Sequence, residues 1–176
     1  MTIYCQVHEF NHVDKVLPRL YYKVMSRNRQ EALIDLVLET FRLNSRLLAS
    51  GDALVADIGL TSARWQVLGA LALSPVSLPV AHIARNMGLT RQAVQRLVNE
   101  MERDGLVSFG VNPHHQRAKL VILTSKGKSA YEAAMKRQRP WAANLTGVLS
   151  TAQIENTAAA LRALRERLDE RTSTRS

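Results

Sequence analysis

The segment GLTRQAVQRLVNEMERD, residues 88–104, gathers side chains whose types suit more than packing. At helical spacing, Arg91, Gln92, Gln95 and Arg96 fall opposite an apolar stripe of Ala93, Val94, Leu97, Val98 and Met101. Arginine can fork onto guanine O6 and N7, and glutamine onto adenine N6 and N7, so these are residue types that tell base edges apart. Thr90 suits the N-cap, where a phosphate contact would also profit from the helix dipole. Arginine and glutamine are equally good helix formers, so the face alone also fits a solvated surface. Glu100, Glu102 and Asp104 turn the far end acidic and would repel phosphate, confining any reading face to the first two turns.

A second cluster holds Asn112, His114, His115, Gln116 and Arg117 around Pro113. It lies between LVSFGV and AKLVILT, two stretches that read as the strands of a half-solvated hairpin. A basic ribbon tip can enter the narrow minor groove, whose negative potential attracts arginine. Asn112, His114 and Arg117 are the candidates there. The adjacent histidines would point to opposite sides of a strand with no third ligand near, so no metal site and no cofactor are expected. The sequence also holds no Ser/His/Asp set, carboxylate pair at motif spacing, phosphate loop or Cys/His cluster, and an enzyme is not expected.

The elements that would position these groups follow from periodicity. A helix is predicted from about Gln30 to Ala49, apolar on more than one side and ended by Ser50-Gly51. Thr61 or Ser62 caps the next, which stops at Ser74-Pro75. Ser77 caps a short helix with Pro79 in its first turn and Val80, Ile83, Ala84 and Met87 inward. Gly88 supplies a turn into the helix that opens at Thr90. After the hairpin, Thr124 caps a helix to about Arg139, where Pro140 intervenes, and Ser150 or Thr151 caps a last one with Ile154, Ala158, Leu161, Leu164 and Leu168 on one face. Short helix, turn, helix and ribbon make a winged helix-turn-helix. The expected fold is therefore mainly α with a small β-hairpin wing. Its parts are an N-terminal extension (1–29), a helical region (30–50 and 140–170), the winged lobe with its connecting helix (61–139) and a tail (171–176).

Charge agrees with a polyanionic partner. The chain of 176 residues carries a formal net charge of +9, and its 46% hydrophobic content is that of a globular protein. Most of the excess falls in residues 82–128, where Arg85, Arg91, Arg96, Arg117, Lys119 and Lys126 are among the bases facing only three acids. One cysteine, Cys5, excludes an intrachain disulfide, and neither a signal peptide nor a membrane span is evident, so a cytoplasmic protein without membrane association is expected.

Three stretches, LTSARWQVLGAL, IARNMGLTRQAVQRLVNEMERDGLV and NPHHQRAKLVILTSKG, resemble the MarR-type winged-helix transcriptional regulators, over roughly Gln30 to Leu168. Arg117, Leu123, Thr124 and Gly127 fit the family's wing pattern of Asp-x-Arg followed by Leu-Thr-x-x-Gly. His115 stands where the family usually has Asp, which braces the wing arginine by an ion pair that histidine does not supply. The resemblance implies a homodimer built by interleaving the first and last helices. It also implies binding to double-stranded DNA at a pseudo-palindromic operator, usually as a repressor, with release by a small ligand or an oxidant. Small anionic aromatic effectors often sit between dimerisation helices and winged lobe in such proteins, and Phe41, Arg64 and Trp65 are the candidates for such a place. Some members sense peroxide through an N-terminal cysteine, but nothing in the sequence shows a lowered pKa for Cys5, and it reads as an incidental thiol. The competing function is a winged helix used for protein contact, with no operator of its own.

Overall fold

The computed structural model describes residues 28–113, 115 and 117–173, so Cys5, the N-terminal extension up to residue 27 and His114 lie outside the described residues. Backbone contacts group the chain into two units, residues 1–48 and 49–176.

The described part of the first unit lies on helix α1, Arg29–Val55. Asn28 caps it, accepting from the backbone N–H groups of Gln30 and Glu31 at 2.9 Å each, while Glu31 reaches back to the Asn28 N–H at 3.3 Å. Leu33, Ile34, Val37, Leu38, Phe41 and Leu43 are all exposed in the single chain.

Contrary to the expected stop at Ser50-Gly51, α1 runs on to Val55. Gly51 is not in the left-handed conformation of a helix-ending glycine. It is buried, and a Cβ there would fall on the Ser62 hydroxyl. Its missing side chain lets the end of α1 lie against the start of α2, Ser62–Ala72, and Asp52 accepts the Ser62 N–H at 2.6 Å. The turn is made later, by a 3-10 segment (Ala56–Ile58) and Gly59 at φ 69°.

Thr61 caps α2 as expected, accepting from Arg64 N–H at 3.3 Å. Ser77 and Pro79 do not open a helix. Leu78–Pro79 instead form strand β1, and α3 covers Val80–Met87 with extended Pro79 as its N-cap. Proline lacks the ladder donor but is tolerated at a sheet edge, and β1 is such an edge. Gly88 then takes φ 65°, and its N–H and that of Leu89 close the helix on Arg85 and Ala84 carbonyls at 3.2 and 3.0 Å. Helix α4, Arg91–Arg103, follows.

Strands β2 (Val107–Gly110) and β3 (Leu120–Leu123) pair antiparallel with Phe109 opposite Val121. β1 pairs on the other side of β3, Leu78 opposite Val121, so the expected two-stranded ribbon is a three-stranded sheet of order β1-β3-β2. Leu68 of α2, Ile83 of α3, Val94, Val98 and Met101 of α4, and Val121 of β3 are fully buried together and form the core of the winged lobe. The fold is mainly α with a small antiparallel sheet, a winged helix-turn-helix.

Thr124 caps α5, Ser125–Thr146, through Gly127 N–H at 3.0 Å, and its hydroxyl donates to the Gly105 carbonyl at 2.8 Å. Pro140 does not end this helix but lies within it. An internal proline costs about 3 kcal/mol in a lone helix. Here contacts on both sides hold the helix in place: Arg137 pairs with Asp57 at 3.1 and 2.5 Å, and Trp141 Nε1 donates to Ser50 Oγ at 2.8 Å. The Arg137 hydrogen bond, aided by its charge and opposed by desolvation, holds the Asp57 carboxyl below its ordinary value. Helix α6, Thr151–Ser173, begins in a capping box: Gln153 N–H donates to Ser150 Oγ at 3.3 Å, and Ser150 N–H to Gln153 Oε1 at 2.9 Å.

Candidate nucleic-acid interface

Thr90 accepts from the Ala93 N–H at 3.2 Å, which starts α4 in a fixed direction. With Val94, Val98 and Met101 buried, the helix has only one orientation in which Arg91, Gln92 and Arg96 are all exposed. The structure brings Arg91, Gln92, Gln95 and Arg96 around one shallow hollow on the open face of α4. Thr90 is exposed at the same end, and its capping bond uses an acceptor lone pair, leaving the hydroxyl proton for a phosphate.

Between α4 and the sheet runs a groove of about 990 Å³. Arg91, Gln95 and Asn99 form its α4 wall, and Asn112, His115 and Arg117 its wing wall. The wing bends in two steps, His115 N–H donating to the Asn112 carbonyl at 3.2 Å and Ala118 N–H to that of His115 at 3.1 Å. Arg117 and His115 are exposed on this bend. Lys119 stands with its Nζ 5.9 Å from the centre of the Phe109 ring, a cation–π contact that carries charge to the base of the wing. Of the expected residues, Arg91, Gln95, Asn112 and Arg117 thus share one groove, while Gln92 and Arg96 extend the same surface outward.

Three residues acquire contacts that the sequence did not announce. His82 and Arg85, from α3, also line the groove and add basic groups to its floor. Asn99 accepts from Gln95 Nε2 at 2.9 Å, a pairing whose signal was the i, i+4 spacing of two amides.

The three residues considered for a small-molecule place stand in different surroundings. Arg64, 21% exposed, pairs with Asp104 at 2.9 Å and Glu100 at 3.7 Å. The acidic end of α4 is thereby matched by a base from α2, and Lys126 Nζ adds a bond to the Asp104 carbonyl at 2.7 Å. Trp65 is half-buried against the core, and Phe41 is 68% exposed on α1 within the first unit. Among the described residues no group of His, Cys, Asp and Glu is placed to hold a metal, and no helix is long and apolar enough to cross a membrane.

Comparison with known sequences agrees with this geometry. The sequence model of the MarR family matches residues 58–118, the stretch from the end of the 3-10 turn through the wing. This chain belongs to the MarR family. The uncharacterised protein Rv2011c of Mycobacterium tuberculosis is 36% identical over 107 residues, 61% of this chain and 73% of that protein. The transcriptional activatory protein BadR of Rhodopseudomonas palustris is 29% identical over 142 residues, 77% of this chain and 81% of BadR. Among solved structures, the MarR-family regulator Sco5413 of Streptomyces coelicolor superposes with a TM-score of 0.67 at 28% identity, covering 79% of this chain and 96% of Sco5413. The M. tuberculosis regulator MosR, solved in complex with DNA, superposes at 0.64 with 26% identity, covering 75% and 96%. As a MarR-family protein the chain is a transcription regulator with a DNA-binding winged helix.

Proposed function

We propose that this MarR-family regulator acts in the cytoplasm as a homodimeric, ligand-responsive repressor that grips a pseudo-palindromic operator. The observation that carries the reading is the groove between α4 and the wing, where forked readers (Arg91, Gln95) face a basic ribbon (Arg117, Lys119) across one opening. In this reading the first two turns of α4 enter the major groove, Arg91, Gln92, Gln95 and Arg96 meet base edges, and Thr90 binds a phosphate. Asn112, His114 and Arg117 take the adjacent minor groove. Two copies place two such helices about one helical turn of DNA apart, which makes the operator mirror the dimer.

Support for the dimer comes from the exposed apolar side chains of α1, together with Leu145, Leu149, Ile154 and Leu168 near and on α6. Such surfaces in a regulator of this kind seek a second copy. A small anionic aromatic effector would act by favouring a dimer whose reading helices are wrongly spaced. Arg64 is where it would act most directly, because an anion bound there would compete with Glu100 and Asp104 and so loosen the support of α4.

The test is binding of the purified protein to the DNA flanking its own gene. Specific binding that falls steeply and linearly on a log–log plot between about 50 and 200 mM salt is expected. Equal affinity for that DNA and for random duplex at every salt concentration would leave a protein-contact module as the better reading. Deleting the gene should raise the neighbouring transcripts; a fall would make the protein an activator, as BadR's name describes that relative.

A further inference from the structure

We infer that Asn99 is a specificity-determining residue of this regulator, acting by holding Gln95 in the conformation that reads a base; this rests on the base-reading role proposed above for Gln95.

Gln95 and Asn99 stand one helical turn apart on α4, both half-buried and both lining the groove between α4 and the sheet. Gln95 Nε2 donates to Asn99 Oδ1 at 2.9 Å. That bond uses one of the two amide hydrogens and leaves the other, together with Oε1, for a second partner. One donor and one acceptor in a fork are what adenine N7 and N6 require. A free glutamine must freeze three side-chain torsions to make that contact, and part of the binding energy is lost in doing so. Here the torsions are set before DNA arrives. The first two turns of α4 bear the exposed bases, and Asn99 begins the third, so the amide pair marks the inner limit of the reading face. Glu102, further along the same groove wall, would repel phosphate on the Asn99 side of the groove. Asn99 is therefore a positioning residue and touches no base.

The experiment uses the full-length protein and a duplex set in which each position of the bound upstream fragment is varied in turn. Gln95→Ala should erase preference at one position of each half-site. Asn99→Ala should flatten preference at that same position by roughly three- to tenfold, a larger loss than any it causes on random duplex. Asn99→Asp keeps an acceptor for Gln95, so it should lower affinity for every sequence through its charge yet retain the preference. A merely structural role for Asn99 would lower binding at all positions alike, and that result overturns the inference. Full preference in Asn99→Ala at the position Gln95→Ala erases also overturns it, leaving the base-reading role of Gln95 standing. If Gln95→Ala erases preference nowhere, the base-reading role falls, and the inference with it.

Discussion

Individual side chains on α4 and the wing have separable roles because they stand in different surroundings. Arg96 is exposed on the outward face of α4, where its full fork is free to meet a guanine edge. Arg96→Ala should cost about 1–3 kcal/mol on the preferred site and relax the base preference there, measured by competition between matched and varied duplexes. Arg117 sits on a bend of the wing beside His115, where the family usually places a bracing Asp. Arg117→Ala should weaken binding by a similar factor on every sequence and reduce the salt slope by about one, as loss of a phosphate or groove charge does. If Arg117→Ala instead changes base preference, the wing arginine reads sequence. The bland alternative for the α4 face, a solvated set of good helix formers, was indistinguishable in the sequence. The structure adds that Arg91 and Gln95 of this face line one groove with the basic wing residues Arg117 and Lys119.

The joints between elements explain residues that reach no ligand at all. Gly127 opens α5 where that helix meets the start of β2, and a Cβ there would fall on the Leu106 carbonyl oxygen and close to the Leu123 side chain. Neither backbone can retreat, because Thr124 ties the same turn to Gly105 and caps α5. Gly127→Ala should therefore destabilise the winged lobe by about 1–3 kcal/mol, read as a drop in the unfolding midpoint in urea at unchanged slope. A neutral result would mean that the turn yields. The Thr124 and Gly127 signature was legible in the sequence, but its reason, the approach of a carbonyl, was not. Arg64 makes the same point for charge. Glu100 and Asp104 read as a patch that DNA would avoid, and the structure adds that a base from α2 anchors them. Pairs this exposed contribute little stability, about 0–1 kcal/mol, so their weight lies in fixing the pose of α4.

For the whole molecule, apolar side chains of α1 stand exposed in the single chain. Ile34 and Leu38 are 59% and 44% exposed, one helical turn apart. Replacing both with Asp should convert a dimer into a monomer in light scattering. Operator affinity should drop on the order of 100-fold, because the second half-site loses its tethered reader. A doubly substituted protein that stays dimeric would place the interface elsewhere. The winged lobe should keep its cooperative unfolding in that monomer, since its core of Leu68, Ile83, Val98 and Val121 belongs to the second unit alone.

What the sequence determined by itself was local. The Thr90 and Thr124 caps, the Gly88 turn, the apolar stripe of α4 and the alternation of β2 and β3 each depend on neighbours within a few residues, so their meaning survives without a fold. Tertiary structure decided three residues whose local meaning has a rival. Gly51 looked like a stop and is a close approach, Pro79 looked like a first helical turn and is an edge strand, and Pro140 looked like a break and is carried through by Arg137 and Trp141. The physical reason is common to all three. A glycine or proline only relaxes or restricts the backbone, and which conformation is then taken depends on partners far along the chain: Ser62 for Gly51, Leu120 for Pro79, Asp57 and Ser50 for the helix around Pro140.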